Sequence, residues 1–286
     1  MKKKLAIAVF VAFLAAVWFI PAADPASRRL VVDLSKQGSA SAPPKLTPEQ
    51  TEAIKKQNEK ATKINELIKQ ADVAINAKKW QEAIPPLQEL IAIDPTNWQF
   101  YSALGDAQLN LGQYGQAIDA YEKGVQAAEK TPVDPKNPNS DQTKKKAGEA
   151  RMFTNEGNAF LKSHKENEAI AAYTRAAALD PNPATAFWNL CATQYNTGQV
   201  EGALKACEKA IELDPSKADA YFIKGSLLIG DSKVDKDGKV HAPPGTVEAF
   251  KKYLELVPNG PHAGEVKQML EYIGSKIETT YQQRKK

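Results

Sequence analysis

Two cysteines, three histidines and three methionines in 286 residues leave little material for metal or thiol chemistry. His164, His241 and His262 lie in or beside turn-like segments, and none has a second ligand at metal spacing, so they read as isolated surface residues. A glycine-rich phosphate cradle is missing, and so is a glycine-flanked serine of the nucleophile-elbow kind. Asp231, Asp235, Asp237 and Gly238 invite a calcium-loop reading that fails on register. With Gly238 sixth, the first position is Lys233 and the twelfth Pro244, which leaves no bidentate carboxylate. No catalytic residue, metal or cofactor is therefore expected. Excess charge is also missing: Lys2, Lys3, Lys4, Arg28 and Arg29, less Asp24, account for the net charge of +4, and residues 30–286 are close to neutral. Nucleic acid is not expected as a partner. The runs Lys144-Lys145-Lys146 and Arg284-Lys285-Lys286 read as a solvated loop and tail.

A single long apolar run exists, Leu5 to Ile20, directly after three lysines. This pattern predicts export. The run is shorter than the roughly 20 residues of a full span, and Pro21, Ala22 and Ala23 extend it. Residues 1–23 are thus either a cleaved signal peptide or a retained membrane anchor. A cut after Ala23 places Pro21, and a cut after Ala26 places Asp24, where a small residue is preferred. No cysteine lies near residue 20, which excludes a lipid-modified N-terminus. Residues 24–46, rich in Pro and Ser, read as a flexible linker. Thr47 then offers an N-cap, Pro48 a first helical residue and Gln50 the return bond of a capping box. The helical extension 47–63 carries a sparse stripe continued by Ile54, Ala61, Ile64, Ile68, Ala71 and Ile75, either a solvated stalk or a short dimerising coil.

Downstream the chain repeats itself. Gly105, Gly157 and Cys191 each precede an alanine by twelve residues (Ala117, Ala169, Ala203), Gly225 precedes Ala249 across an insertion, and Ala71 pairs with Ala83. Small residues at this spacing fall at one height on two antiparallel helices and let the backbones approach. Asp94-Pro95, Asp180-Pro181 and Asp214-Pro215 recur in the same phase, where proline ends the second helix. One such hairpin has too small a core to stand alone, so at least three must stack.

The stretch 184–217 resembles the tetratricopeptide repeat through Phe187, Leu190, Gly198, Ala203, Ala210 and Pro215, with Cys191, Gln194 and Cys207 replacing its usual glycine, tyrosine and aromatic residue. Residues 150–183 match through Phe153, Gly157, Phe160, Ala169, Tyr173, Ala176 and Pro181, and the unit from Trp98 through Leu104, Gly105, Gly112, Ala117 and Tyr121. The unit 64–97 departs most, with Pro85-Pro86 inside its second helix, which is expected to kink or start late. The resemblance implies an all-α fold: a right-handed superhelix of about five helix pairs over 64–260, with a protein or peptide held in its inner groove. Groove positions carried over from the family are Asn110, Arg151, Asn155, Asn158, Trp188, Asn189, Tyr195, Asn196 and Phe222. Amides there suit an extended backbone and the aromatics suit apolar side chains, although asparagines can equally cap helices and Trp188 and Phe222 can pack between units. A basic clamp for a free C-terminus is not reproduced, since Arg151 stands alone. Cys191 and Cys207 take the small and the aromatic position of one hairpin and are expected to face each other, either as core thiols or, after export, as a disulfide.

Insertions near 130–149 and 231–245 are expected as surface loops, the second with a β-hairpin around Asp237-Gly238. Residues 261–286 are expected to supply a capping helix, with Val266, Met269, Leu270 and Ile273, and a basic tail. The arrangement from Ala242 to Leu270 also resembles the end of some exported bacterial tetratricopeptide proteins. The resulting expectation is a non-catalytic scaffold of the periplasm or cell envelope, touching the membrane only through an uncleaved N-terminal segment. The alternatives are a homo-oligomer assembled through its stalk or cap helices, or a non-catalytic subunit of an envelope enzyme complex.

Overall fold

A computed structural model describes residues 47–133 and 135–274. The N-terminal segment, the linker and the basic tail of the sequence reading lie outside the described residues. Among those described, no helix is long and apolar enough to cross a membrane. The chain divides after residue 66.

Helix α1 (Pro48–Asn76) opens with the expected reciprocal cap: Thr47 N–H donates to Gln50 Oε1 at 2.9 Å and Gln50 N–H to Thr47 Oγ1 at 3.2 Å. Its residues 48–60 are exposed throughout, and burial begins with Leu67, Ala71 and Ala74. Helix α2 (Trp80–Ile93) contains Pro85 and Pro86 yet runs as one helix and does not start late. Its first residue falls in phase with those of later second helices.

From residue 98 the chain runs in helix pairs: α3 (Trp98–Asn110) with α4 (Tyr114–Lys130), α5 (Pro138–Lys162) with α6 (Glu166–Leu179), α7 (Ala184–Asn196) with α8 (Val200–Leu213), and α9 (Ala218–Ile229) with α10 (Thr246–Leu256). Each second helix also packs on the next first helix, and α3 touches α5 as α7 touches α9. First helices therefore form an inner row and second helices an outer one. A short ribbon, β1 (Lys233–Val234) antiparallel to β2 (Val240–His241), interrupts the last pair around the left-handed Gly238. Helix α11 (Ala263–Tyr272) closes the stack with Ala263, Val266 and Leu270 buried.

Close approach within each pair depends on a bare backbone. A Cβ on Gly105, Gly157 or Gly225 would stand 2.5 Å from the ring of Tyr121, Tyr173 or Phe250 respectively, below any van der Waals separation. The fourth unit solves the same contact with a disulfide between Cys191 and Cys207, Cα atoms 4.8 Å apart. The turns between partner helices share a left-handed residue: Gly112 and Gly198 (φ 74° and 73°), but Lys78 and His164 (φ 55° and 56°) in the first and third units.

The first insertion differs from expectation. Only its beginning is irregular; from Pro138 it is helix, so α5 is 25 residues long and the three lysines lie on a helical extension, not in a loop. Pro138 is a good first helical residue. The extension is held where the edge of the Trp98 indole meets Gly148, a site at which a Cβ would stand 2.2 Å from the ring.

Candidate partner-binding face

The inner wall is built from the tyrosines behind it. Tyr121 and Tyr173 are buried, and each hydroxyl reaches the polar residue fifteen positions earlier on the first helix: Tyr121 donates to Asp106 Oδ1 and Tyr173 to Asn158 Oδ1, both at 2.8 Å. Burial raises both phenol pKa values, with the Asp106 charge adding to the effect at Tyr121, so the hydroxyls stay protonated donors. Where the second helix has no hydroxyl to satisfy, at Cys207 and Phe250, the matching residues are Ala192 and Ser226.

Two bridges join the second and third units along this wall. Asn155 Nδ2 donates to Asp106 Oδ1 at 2.8 Å, and Arg151 Nη2 donates to Ser102 Oγ at 2.8 Å. Asn158 Nδ2 lies 3.5 Å from Asn155 Oδ1. Arg151, Asn155 and Asn158 are on the inner helix as expected, but their first partners are within the protein. Asn110 is exposed and donates to the Asp106 backbone carbonyl at 2.7 Å, one turn back on its own helix. Ser102 and Asp106, which complete this network, were not singled out from sequence. The fifteen-residue spacing from Tyr121 is the signal that marks Asp106.

Phe222 requires a correction. It is 3% exposed, covered by the ring of His262 stacked at 3.8 Å between centroids and 8° between planes, with Tyr253 tilted against it at 5.8 Å. The start of α11 lies over it and removes it from any open surface. His262 is correspondingly not an isolated surface histidine: its ring stacks on Phe222, and its backbone N–H donates to Tyr253 Oη at 3.0 Å. His241 does lie at the surface, 2.7 Å from Asp235 in the ribbon. Among the described residues no group of side chains could hold a metal ion.

The remaining positions lie together on α7. Trp188, Asn189 and Tyr195 are half-buried and Asn196 is exposed. Trp188 and Tyr195 rest against the core shared by the last helices, while the side-chain amides of Asn189 and Asn196 have no hydrogen-bond partner among the described residues. Tyr195 is held protonated by burial and by the charge of Glu265 on α11. The inner face thus has a polar stretch on α3 and α5 that bonds to itself and an aromatic stretch on α7 with polar capacity left over.

Family models for the tetratricopeptide repeat match residues 74–133 and 184–217, and a model described as TPR repeat matches 157–198. The chain is a tetratricopeptide repeat protein. Among curated proteins it is 38% identical over 80 residues to Hsp70-Hsp90 organizing protein 3 of Arabidopsis thaliana, a match covering 28% of this chain and 14% of that one. It is 28% identical over 167 residues to organizing protein 2 of the same plant, covering 52% and 27%. The tetratricopeptide repeat protein therefore spans under a third of the length of these two relatives. Among solved structures it is similar to YrrB, described as a TPR protein with an unusual peptide-binding site (20% identity, TM-score 0.53, 76% of this chain and 97% of that). MamA aligns at 24% identity and TM-score 0.53 over 68% of this chain and 91% of its own. At these identities the structural likeness establishes the fold, a stack of helix pairs.

Proposed function

We propose that this tetratricopeptide repeat protein is a non-catalytic scaffold of the bacterial cell envelope that holds a protein or peptide segment against α7. The observation that carries the reading is the unspent capacity of that helix: Trp188 and Tyr195 offer half-open aromatic surface, and the Asn189 and Asn196 amides lack partners among the described residues. An amide both donates and accepts, as an extended backbone requires, and aromatic side chains are the usual anchors of such interfaces. A repeat protein described as having a peptide-binding site shares the fold. The apolar run behind three lysines supports export and attachment to, or passage across, the inner membrane.

The test begins with a partner captured from the native envelope and its affinity measured by calorimetry. Trp188→Ala is expected to weaken binding by at least about 2 kcal/mol, provided that circular dichroism and melting match the parent. Tyr195→Ala and Asn189→Ala are expected to weaken it less. Unchanged affinity in all three folded variants would overturn the assignment of the partner to α7.

A further inference from the structure

The residue just before the small position of the first helix is Leu104 in the second unit and Leu190 in the fourth, both buried. In the third unit it is Glu156, equally covered at 6% exposure, and its carboxyl has no hydrogen bond or ion pair among the described residues. Two turns earlier on α5 stands Glu149, 9% exposed and likewise without a partner for its carboxyl. On the facing helix, α4, two exposed acids act on them electrostatically, Glu122 on Glu156 and Glu129 on Glu149. Each pair of acids is seven residues apart on its helix and in opposite order on the two, as antiparallel neighbours require. Two covered acids on α5 therefore each feel the charge of an acid on α4 across one joint.

The cations near them are committed elsewhere or stop short of an ion pair. Arg175 on α6 reaches Glu156 electrostatically while its guanidinium lies over the Phe153 ring at 5.5 Å. Lys145 and Lys146 act on Glu149, but Lys145 donates to the Glu129 and Thr131 carbonyls at 3.4 and 3.3 Å. On the other side of α5, helix α3 has Asp106 as its charged residue, and Tyr121 and Asn155 already occupy it. A leucine here would be neutral at every pH; an unpartnered carboxyl is tolerated far better protonated than ionised.

We propose that the α4–α5 joint is a protonation switch: with Glu149 and Glu156 neutral the second and third units lock together, and with both ionised the joint loosens. Burial, with Glu122 adding to it against the opposing charge of Arg175, lifts Glu156 from the ordinary 4.5 to about 7, and burial also raises Glu149. The folded joint consequently holds its protons more tightly than the opened one. The stabilising contribution is complete below about pH 4.5 and is lost as pH rises through about 7. The bridges from Arg151 and Asn155 to α3 leave from the same helix, so a loosened α5 disturbs the inner wall as well. The switch does not depend on what α7 binds.

Backbone hydrogen exchange of the full chain, corrected for intrinsic rates, reads the joint directly. Between pH 8 and pH 6 the α4 and α5 amides are expected to gain about tenfold protection, the amount that one proton bound with a pKa near 7 supplies by linkage. The α7 and α8 amides serve as the unchanged reference. Glu156→Gln and Glu156→Leu are expected to abolish most of this difference, Glu156→Leu leaving the joint protected at both pH values. A carboxyl-carbon titration of the unmutated protein follows the same group without substitution and is expected to place the Glu156 midpoint near 7. The proposal is overturned if protection of α4 and α5 is the same at both pH values, if the difference persists in both variants, or if Glu156 titrates near 4.5.

Discussion

The third and fourth units share one backbone and solve its packing problems with different chemistry. At the residue before the small position the third has buried Glu156 and the fourth buried Leu190; at the small position, Gly157 and Cys191; one residue later, Asn158 and Ala192. The turn is left-handed at His164 in one and at Gly198 in the other, and the second helix answers with Tyr173 or with Cys207. The third unit depends on polar groups satisfied across the hairpin and on a carboxyl that prefers its proton. The fourth depends on apolar contact and a covalent link. A helix pair of this kind specifies where small, large and left-handed residues go, and leaves open how each contact is made.

Exchanging features between the two units tests that statement. The largest effect is expected from Leu190→Glu, which gives the fourth unit the third unit's acid without its surroundings. It should cost about 3–5 kcal/mol at pH 8, because an uncompensated charge is buried. The cost should shrink on acidification, since the folded-state pKa is raised and the protonated acid is easier to bury. Urea midpoints at pH 8 and 5 check both size and sign. Next, replacing Cys191 and Cys207 together by alanine should cost about 3 kcal/mol, the chain-entropy value for a loop closed across a sequence separation of 16. No loss relative to the oxidised parent would mean that the fourth unit does not rely on its link.

Tyr173→Phe should cost about 1 kcal/mol, since it keeps the ring against Gly157 but leaves the Asn158 carbonyl without its donor. The same substitution has no counterpart in the fourth unit, and a neutral result would separate the ring contact from the hydroxyl. The smallest effect runs the other way: His164→Gly should stabilise by roughly 0.5–1 kcal/mol, because a residue with a Cβ pays to sit at φ 56° and glycine does not. Gly198→Ala, the reciprocal change, should destabilise by a similar amount. Thermal melts of both variants sharpen the comparison.

Much of this was legible before any coordinates. The small-to-small spacing marked Gly105, Gly157, Cys191 and Gly225 as places of close approach, but the side chain that meets each is an aromatic ring or the second cysteine, not the paired alanine. Thr47, Pro48 and Gln50 marked a helix start that is realised bond for bond. The helical extension of α5 was not legible: Pro138 to Lys146 is polar and has no apolar stripe. It is anchored where Gly148 meets Trp98, fifty positions earlier in the chain. The inner-helix position of Asn155 and Asn158 was legible too, but not their use, because an amide reads the same whether it faces a partner or a neighbouring helix.

By itself the sequence determined the repeat, its hairpins, the places where backbones must touch and the ends of the helices. These follow from spacings of three to fifteen residues that any copy of the unit obeys. Tertiary structure alone decided that Arg151 and Asn155 bond to α3, that α11 covers Phe222, that Glu156 is buried with the charge of Glu122 acting on it, and that α7 keeps amides without partners among the described residues. Each of these depends on which side chains of different units are brought face to face. Periodicity sets the backbone of every unit alike, whereas the partner of a given side chain is set by the particular neighbour stacked against it.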